Sequence, residues 1–483
     1  MNNTSSNRKF NSILVLTLIF IFVFWLLLSK NNYFHMDDWE YIGRFNENIW
    51  PMLTRPFFEM FLPLNILLYY ILYRLFGLSY LPFQINVLFF HTLNCLLLYL
   101  IIKRESGKKF LAYGGMVIFG LSSVPIDDII WSMGINHVLA GTFLFLTYLI
   151  FIMFRRGNWL SSQAGIAILL YLSFHVHNIT ILFPLTYIII ILFDKGRNKK
   201  VFSVSLFLLL FILEVSTLLF FSRDSIAMNP RKSPLSLAFV PLYILVGVFK
   251  GTILRLITPD LYFLSNITKY TGPLRGLLSL ILIFTPFVII VVLKKNYKDK
   301  PFNFSFLKYI LLIITPYMAI APFRIVNGYE QARIPRYTYI PLFFLVIFLM
   351  VIFKTFYNRK ILLTLFFSVL MTLHLISAIN FSINWEKNLD KDQSYVKDIR
   401  YLLEHNQEVY DIPSHGIWAN MSPSKLAFLF EKEKRINFLE SSVLPPKEDL
   451  EKVSADQKTT EIYKRLGTIY YTFSANFTVP YSF

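Results

Sequence analysis

The sequence predicts an all-α polytopic membrane protein. About eleven transmembrane helices are expected, with helices at the outer interface and a small extracytoplasmic C-terminal domain. Three observations lead there. Of the 483 residues, 55% are hydrophobic and 16% charged, against about 25% charged in ordinary soluble domains, and mean hydropathy is +0.53. Apolar runs close to the ~20 residues that cross a bilayer recur along the chain. Short Lys/Arg clusters separate them, the pattern of cytoplasmic turns. This composition excludes an ordinary soluble enzyme. It also excludes a disordered chain, which needs low hydrophobicity. Cys95 is the single cysteine, so there is no internal disulfide and no Cys-rich metal site.

The first span is expected at 10–29, after Arg8 and Lys9. No small-residue cleavage site follows it, so it reads as an uncleaved signal anchor. Basic patches at 103–109, 155–156, 194–200, 294–300 and 354–360 mark the cytoplasmic turns. An even number of crossings must join each neighbouring pair. The remaining spans then fall at 83–102, 110–122, 129–154, 159–173, 179–193, 201–222, 275–293, 306–323, 338–353 and 361–379. The N-terminus lies inside and the C-terminus outside. Two more apolar runs, 57–76 and 235–257, would break this parity. They carry Arg74, Lys250 and Arg255 and are expected as interfacial helices. Residues 1–380 form the transmembrane domain and 381–483 the extracytoplasmic tail.

The formal net charge of +18 is explained by this topology. The cytoplasmic segments hold nineteen of the 47 Lys and Arg but only Glu105, Asp194 and Asp299, a net +16. The tail carries thirteen basic and fifteen acidic residues, a net −2. The excess is a sidedness signal, and no nucleic-acid partner is expected. Heavy use of Phe, Ile, Lys and Asn points to AT-rich coding and a bacterial cytoplasmic membrane.

Chemistry-bearing residues collect on the outer side. Past the first span stands the segment His35, Met36, Asp37, Asp38, Trp39, Glu40, Tyr41. Asp37 with Glu40 three residues on has the spacing of a capping box, and Trp39 is placed as an interface anchor. Adjacent carboxylates near low dielectric also suit an acid/base or metal-binding pair; the two readings are compatible. A second pair, Asp127 and Asp128, opens the fourth span. Two such pairs on one face suit a converging acidic site that could take Mg²⁺ or Mn²⁺, with Asp37 and Asp128 as candidate ligands. His35, His137, His175 and His177 fall at outer helix ends, without the spacing of a zinc helix. The last outer loop carries Arg324, Arg333 and Arg336, then Tyr337 and Tyr339. Arginines there run against the positive-inside trend, and Arg forks phosphate bidentately. Arg55 is a further candidate.

In this order the pieces resemble the C-type glycosyltransferase superfamily, and most nearly its protein O-mannosyltransferase group. There an acidic pair follows the first span, as Asp37-Asp38 does here. An Arg-Pro follows, here Arg55-Pro56, then a stretch matched by Phe76-Gly77, Asn86 and His91. A later outer loop is matched by Val124–Trp131 and Gly134–Ala140. The Arg-Tyr-x-Tyr-x-Pro element is Arg336-Tyr337-Thr338-Tyr339-Ile340-Pro341. The likeness covers about 10–380. It departs where relatives have Lys-Glu in a middle loop and this chain has His175-Val176-His177-Asn178, and no tetratricopeptide tail follows.

The resemblance implies an inverting transferase that takes sugar from a polyprenyl-phosphate-linked donor. The acceptor would be a hydroxyl of a glycan, lipid or protein. Asp37 or Asp38 would act as base, with Asp127 and Asp128 assisting. Arg333, Arg336 and Arg55 would meet the donor phosphate. His35, Trp39, His137, His175, His177, Tyr337 and Tyr339 would line the substrate cavity. Rival readings are a polysaccharide polymerase or ligase using lipid-linked glycans, and a transporter, for which the intramembrane Glu214 is the pointer.

Overall fold

The computed structural model describes residues 2–35, 37–45, 49–55, 60–154, 159–193, 200–222, 238–259, 304–325, 329–405, 458 and 461–462. They are helical, with no strand element among them. Chain packing divides the protein into two units. The first holds residues 1–30, 51–68 and 81–383; the second holds 31–50, 69–80 and 384–483.

The first unit opens with α1 (Asn2–Ser29). After α3 (Trp50–Thr54) comes α4 (Pro63–Phe76), whose first residues belong to this unit. Then follow α5 (Tyr80–Ser106), α6 (Lys109–Gly120), the short α7 (Ile126–Ile130), α8 (Ile135–Met153) and α9 (Trp159–Val176). Next are α10 (Phe183–Phe193), α11 (Lys200–Ser222) and α12 (Val240–Ile257). The chain continues with α13 (Phe304–Arg324), α14 (Tyr339–Phe353) and α15 (Lys360–Glu404). Neighbours α8 and α9, α10 and α11, and α13 and α14 pack side by side, and α14 also packs on α6 and α8. The core seam is aromatic. Tyr339, Phe343 and Phe344 of α14 are fully buried and meet Phe119 and Phe145. A second cluster joins Phe61, Phe174, Ile181, Leu218 and Ala319.

Among the described residues eight helices are long and apolar enough to cross a membrane, so this is a multi-pass membrane protein. Seven expected spans fall on such helices: 10–29, 83–102, 129–154, 201–222, 306–323, 338–353 and 361–379. Three more, 110–122, 159–173 and 179–193, fall on shorter apolar helices. The span expected at 275–293 lies outside the described residues. The eighth long helix is α12, expected at the interface yet long and apolar enough to cross. Its middle, Gly247–Leu254, is a π-helix, a form that recurs at functional sites. It packs against the 3₁₀ turns Tyr329–Arg333 and Pro335–Tyr337. The run expected at 57–76 becomes the shorter α4.

The second unit is built around α2 (Asp37–Arg44). Trp39 is 3% exposed and packs on Tyr33 and Phe34 at ring separations of 5.8 and 5.5 Å. It is buried in an aromatic cluster. Tyr69 at the end of α4 stacks on Tyr41 and Phe45. The C-terminal part of α15 supplies Trp385, whose ring meets His35 at 5.3 Å. Most of the tail lies outside the described residues.

Candidate functional site

In the transmembrane unit the second acidic pair sits on a turn held from several elements. α7 is only five residues long and carries Asp127 and Asp128 in its first turn. The Gln84 side chain of α5 donates to the Ile129 carbonyl at 2.7 Å. The Thr338 hydroxyl donates to the Val124 carbonyl at 3.3 Å. His374 of α15 accepts the Ser123 amide on Nδ1 at 3.2 Å, and its Nε2 reaches the Leu256 carbonyl at 2.9 Å. With Nδ1 accepting, Nε2 must carry the ring proton. His374 thus ties the loop before α7 to the end of α12, beside Arg255. No feature of the sequence singled it out.

Asp128 is buried and pairs with His137 Nδ1 at 2.8 Å. The shared proton rests on Nδ1 when the carboxyl is ionised. The His137 ring lies 4.6 Å from that of His177 and 6.1 Å from that of Tyr337. His177 Nδ1 accepts the Ile179 amide at 2.9 Å, so its Nε2 carries the proton. Asp128 Oδ2, His137 Nε2, His177 Nε2 and Arg336 Nε are all buried with no hydrogen-bond partner. Such groups are costly to leave unmatched, and here they collect in one place.

The cations complete the cluster. The Arg336 guanidinium lies 5.7 Å from the Trp131 ring and 6.0 Å from the Tyr337 ring. Arg324 lies 5.9 Å from the same Tyr337 ring. Burial pushes the Asp127 carboxyl up, and the charges of Arg336 and Arg255 oppose that shift. Burial pushes Asp128 well above the usual carboxylate range; the Asp127 charge adds to this and Arg336 opposes it. Burial, then the Arg324 charge, lower His177 to about 3, so it stands neutral. Of the arginines expected at the phosphate, Arg336 joins this cluster, whereas Arg333 and Arg55 have exposed side chains. Arg324 was singled out in the last outer loop, whereas Arg255 was expected only as part of an interfacial run. Each stands near a helix end, where an isolated arginine reads as a membrane-edge cation.

Two other expected cavity residues make hydrogen bonds of their own. Tyr339 is fully buried, its hydroxyl bonded to His91 Nδ1 at 2.9 Å and Asn94 at 3.1 Å. His175 is half-buried, bonded to the Tyr171 carbonyl at 2.9 Å and packed against Phe61 and Phe174. Both serve packing.

In the second unit Asp38 is fully buried. One oxygen accepts the His35 amide at 2.7 Å and the other the Tyr69 hydroxyl. Asp38 therefore clamps the start of α2 to His35 and Tyr69. Asp37 is the first residue of α2 and half-buried. The Glu40 side chain lies outside the described residues. No group of three or more His, Cys, Asp or Glu that could hold a metal occurs among the described residues. Asp128 has one oxygen on His137 and leaves Oδ2 without a hydrogen-bond partner.

No protein-family model and no curated protein matches this chain. Among solved structures it is similar to the oligosaccharyltransferase of Archaeoglobus fulgidus, a complex with zinc and sulfate, at 16% identity and a TM-score of 0.40. That match covers 76% of this chain and 52% of the other, so this chain spans about half its length. It is also similar to ArnT from Cupriavidus metallidurans bound to undecaprenyl phosphate, at 10% identity and a TM-score of 0.38. That match covers 89% of this chain and 90% of the other. Similarity at this level assigns no activity.

Proposed function

We propose that this protein is an integral-membrane glycosyltransferase. It moves a sugar from a polyprenyl-phosphate-linked donor to a hydroxyl of a glycan, lipid or protein at the extracytoplasmic face. The observation that supports this most is the cluster of Arg336, Asp127, Asp128, His137 and His177 in a unit of membrane-spanning helices. A lipid-linked sugar brings a phosphate to the membrane edge and a polyol beyond it. Guanidinium suits the first; buried carboxyl and imidazole groups suit the second.

In the reaction the bond between the anomeric carbon and the donor phosphate oxygen breaks, and its electron pair leaves with the polyprenyl phosphate. The acceptor oxygen forms the new bond on the opposite face, with inversion. Arg336 stabilises the charge growing on the phosphate. Arg333 and Arg55, both exposed, attract the donor's phosphate. Asp127 and Asp128 orient sugar hydroxyls. The acceptor's proton passes to a carboxylate acting as general base. The sequence resemblance gives that role to Asp37. Neighbouring Asp38 is committed to His35 and Tyr69.

Purified protein given a labelled polyprenyl-phosphate sugar should transfer label, and Asp37→Asn should slow transfer by about 10²-fold or more. Transfer at the wild-type rate in Asp37→Asn would remove Asp37 from the chemistry. A polymerase or ligase would instead require a lipid-linked oligosaccharide. The transporter reading has one specific observation: Glu214, in the middle of α11, is fully buried with both carboxyl oxygens unpartnered, and intramembrane acids mark ion pathways. Glu214→Gln should leave sugar transfer unchanged, whereas an essential Glu214 would favour transport.

A further inference from the structure

A second feature lies at the turn between α14 and α15. Residues 357–359 alone separate the 3₁₀ end of α14, Lys354–Phe356, from the start of α15 at Lys360. Both flanking helices are long and apolar enough to cross a membrane, so the turn stands at a membrane surface. It borders a cavity of about 730 Å³ lined by residues 357–362 and Leu365. The turn between α5 and α6 comes up beside it. There Gly107 takes a left-handed φ of 71°, and Phe110 meets both Tyr357 and Phe367.

Cations gather at this place. Lys108 Nζ lies 4.5 Å from the Tyr357 ring centre and Lys360 Nζ 5.0 Å from it. Arg359 stands exposed on the cavity wall. Among the described residues none of Lys108, Arg359 and Lys360 has a carboxylate partner. Two ammonium groups gather about one ring, and an anion beside them would offset their like charge. The floor is apolar: Ile361, Leu362 and Leu365 are 79%, 59% and 58% exposed. The cavity therefore offers cations to a headgroup and hydrocarbon to a chain.

We propose that this cavity binds an anionic phospholipid. Its phosphate lies against Lys108, Arg359 and Lys360, and its acyl chain runs along Ile361, Leu362 and Leu365. Charge complementarity selects an anionic lipid over a zwitterionic one. The apolar floor selects a lipid over free phosphate. This site does not depend on the proposed sugar transfer.

The test uses the full chain, delipidated in neutral detergent. Phosphatidylglycerol, phosphatidylcholine or inorganic phosphate is added, and the thermal unfolding midpoint and retained lipid are measured. Phosphatidylglycerol should raise the midpoint and the other two should not. The K108Q/R359Q/K360Q variant should lose the shift and retain phosphatidylglycerol on the order of tenfold less strongly. Arg359→Gln alone should give a smaller loss, and covers the case of a triple variant that does not fold. Lys103→Gln, a cation of the same patch over Tyr99, should keep the full shift. An equal response to phosphatidylcholine or to inorganic phosphate would overturn the proposal. So would an undiminished response in the triple variant, or in Arg359→Gln where the triple variant does not fold.

Discussion

A side-chain carbon added at Gly134 would stand 2.2 Å from the Asp128 carbonyl oxygen and 2.4 Å from its Cα. That is backbone, which cannot swing aside as a flexible side chain can. Gly134 therefore lets the turn after α7 fold back far enough for His137 to reach Asp128. Gly134→Ala should destabilise the protein by about 1–3 kcal/mol and break the pairing. Chemical denaturation in detergent would show it; an unchanged unfolding curve would mean the turn is looser than this. His177 gives a pH prediction. Its depressed pKa means that the fold favours the neutral ring, so its contribution is fully present above about 6.5 and is lost as pH falls toward about 3. His177→Gln should flatten the stability profile in that window, read from unfolding midpoints across pH. An unaltered profile would show that the ring is solvated in the fold. The acidic pairs and the histidines were visible in the sequence because their residue types are rare beside apolar runs. The separation of Tyr337 from Tyr339 was not. A 3₁₀ turn ends and α14 begins between them, so one joins the arginines and the other the buried seam with His91 and Asn94.

Among the elements, α13 is pinned at the end opposite Arg324. Lys308 Nζ meets Glu105 of α5 at 2.7 Å, and the Tyr148 hydroxyl of α8 donates to the same oxygen at 2.9 Å. Both charges are mostly buried, with side chains 18% exposed. Lys308→Met alone should cost about 1–3 kcal/mol by leaving Glu105 uncompensated. The Lys308→Met/Glu105→Gln double variant should cost less than the two single variants summed. Additive costs would show the pair to be solvent-screened. Most spans were legible because apolar length alone marks them. α12 is expected at the interface because a crossing there would put a basic patch outside, and because it carries Lys250 and Arg255. The fold places Arg255 within electrostatic reach of Asp127, a long-range contact no local window contains. Sidedness can be checked in a Cys95→Ser background with single cysteines at Lys108 and Arg333. An impermeant reagent should label them from opposite faces. Labelling from one face would refute the eleven-span topology.

Across the whole molecule, the +18 charge and the acid–arginine cluster belong to different tasks. Most of the charge lies in the short turns expected to face the cytoplasm, and the Lys108–Arg359–Lys360 patch is part of it. The chemistry-bearing groups are few and concentrated around α7, the 3₁₀ turns and the end of α13. Composition could show the first pattern directly. The second needed the fold, since Asp128, His177 and Arg336 are far apart in sequence. Arg336 and its acidic neighbours are proposed to act on a polyprenyl-phosphate-linked sugar. The most direct measurement is transfer from such a donor by wild-type protein and by Arg336→Ala, reconstituted in the same lipid. Wild-type protein should transfer sugar, and Arg336→Ala should lose about 10²–10³-fold of that rate, with unfolding little changed. Wild-type rates in Arg336→Ala, or no transfer by a folded wild type from any polyprenyl-phosphate sugar, would contradict the proposal.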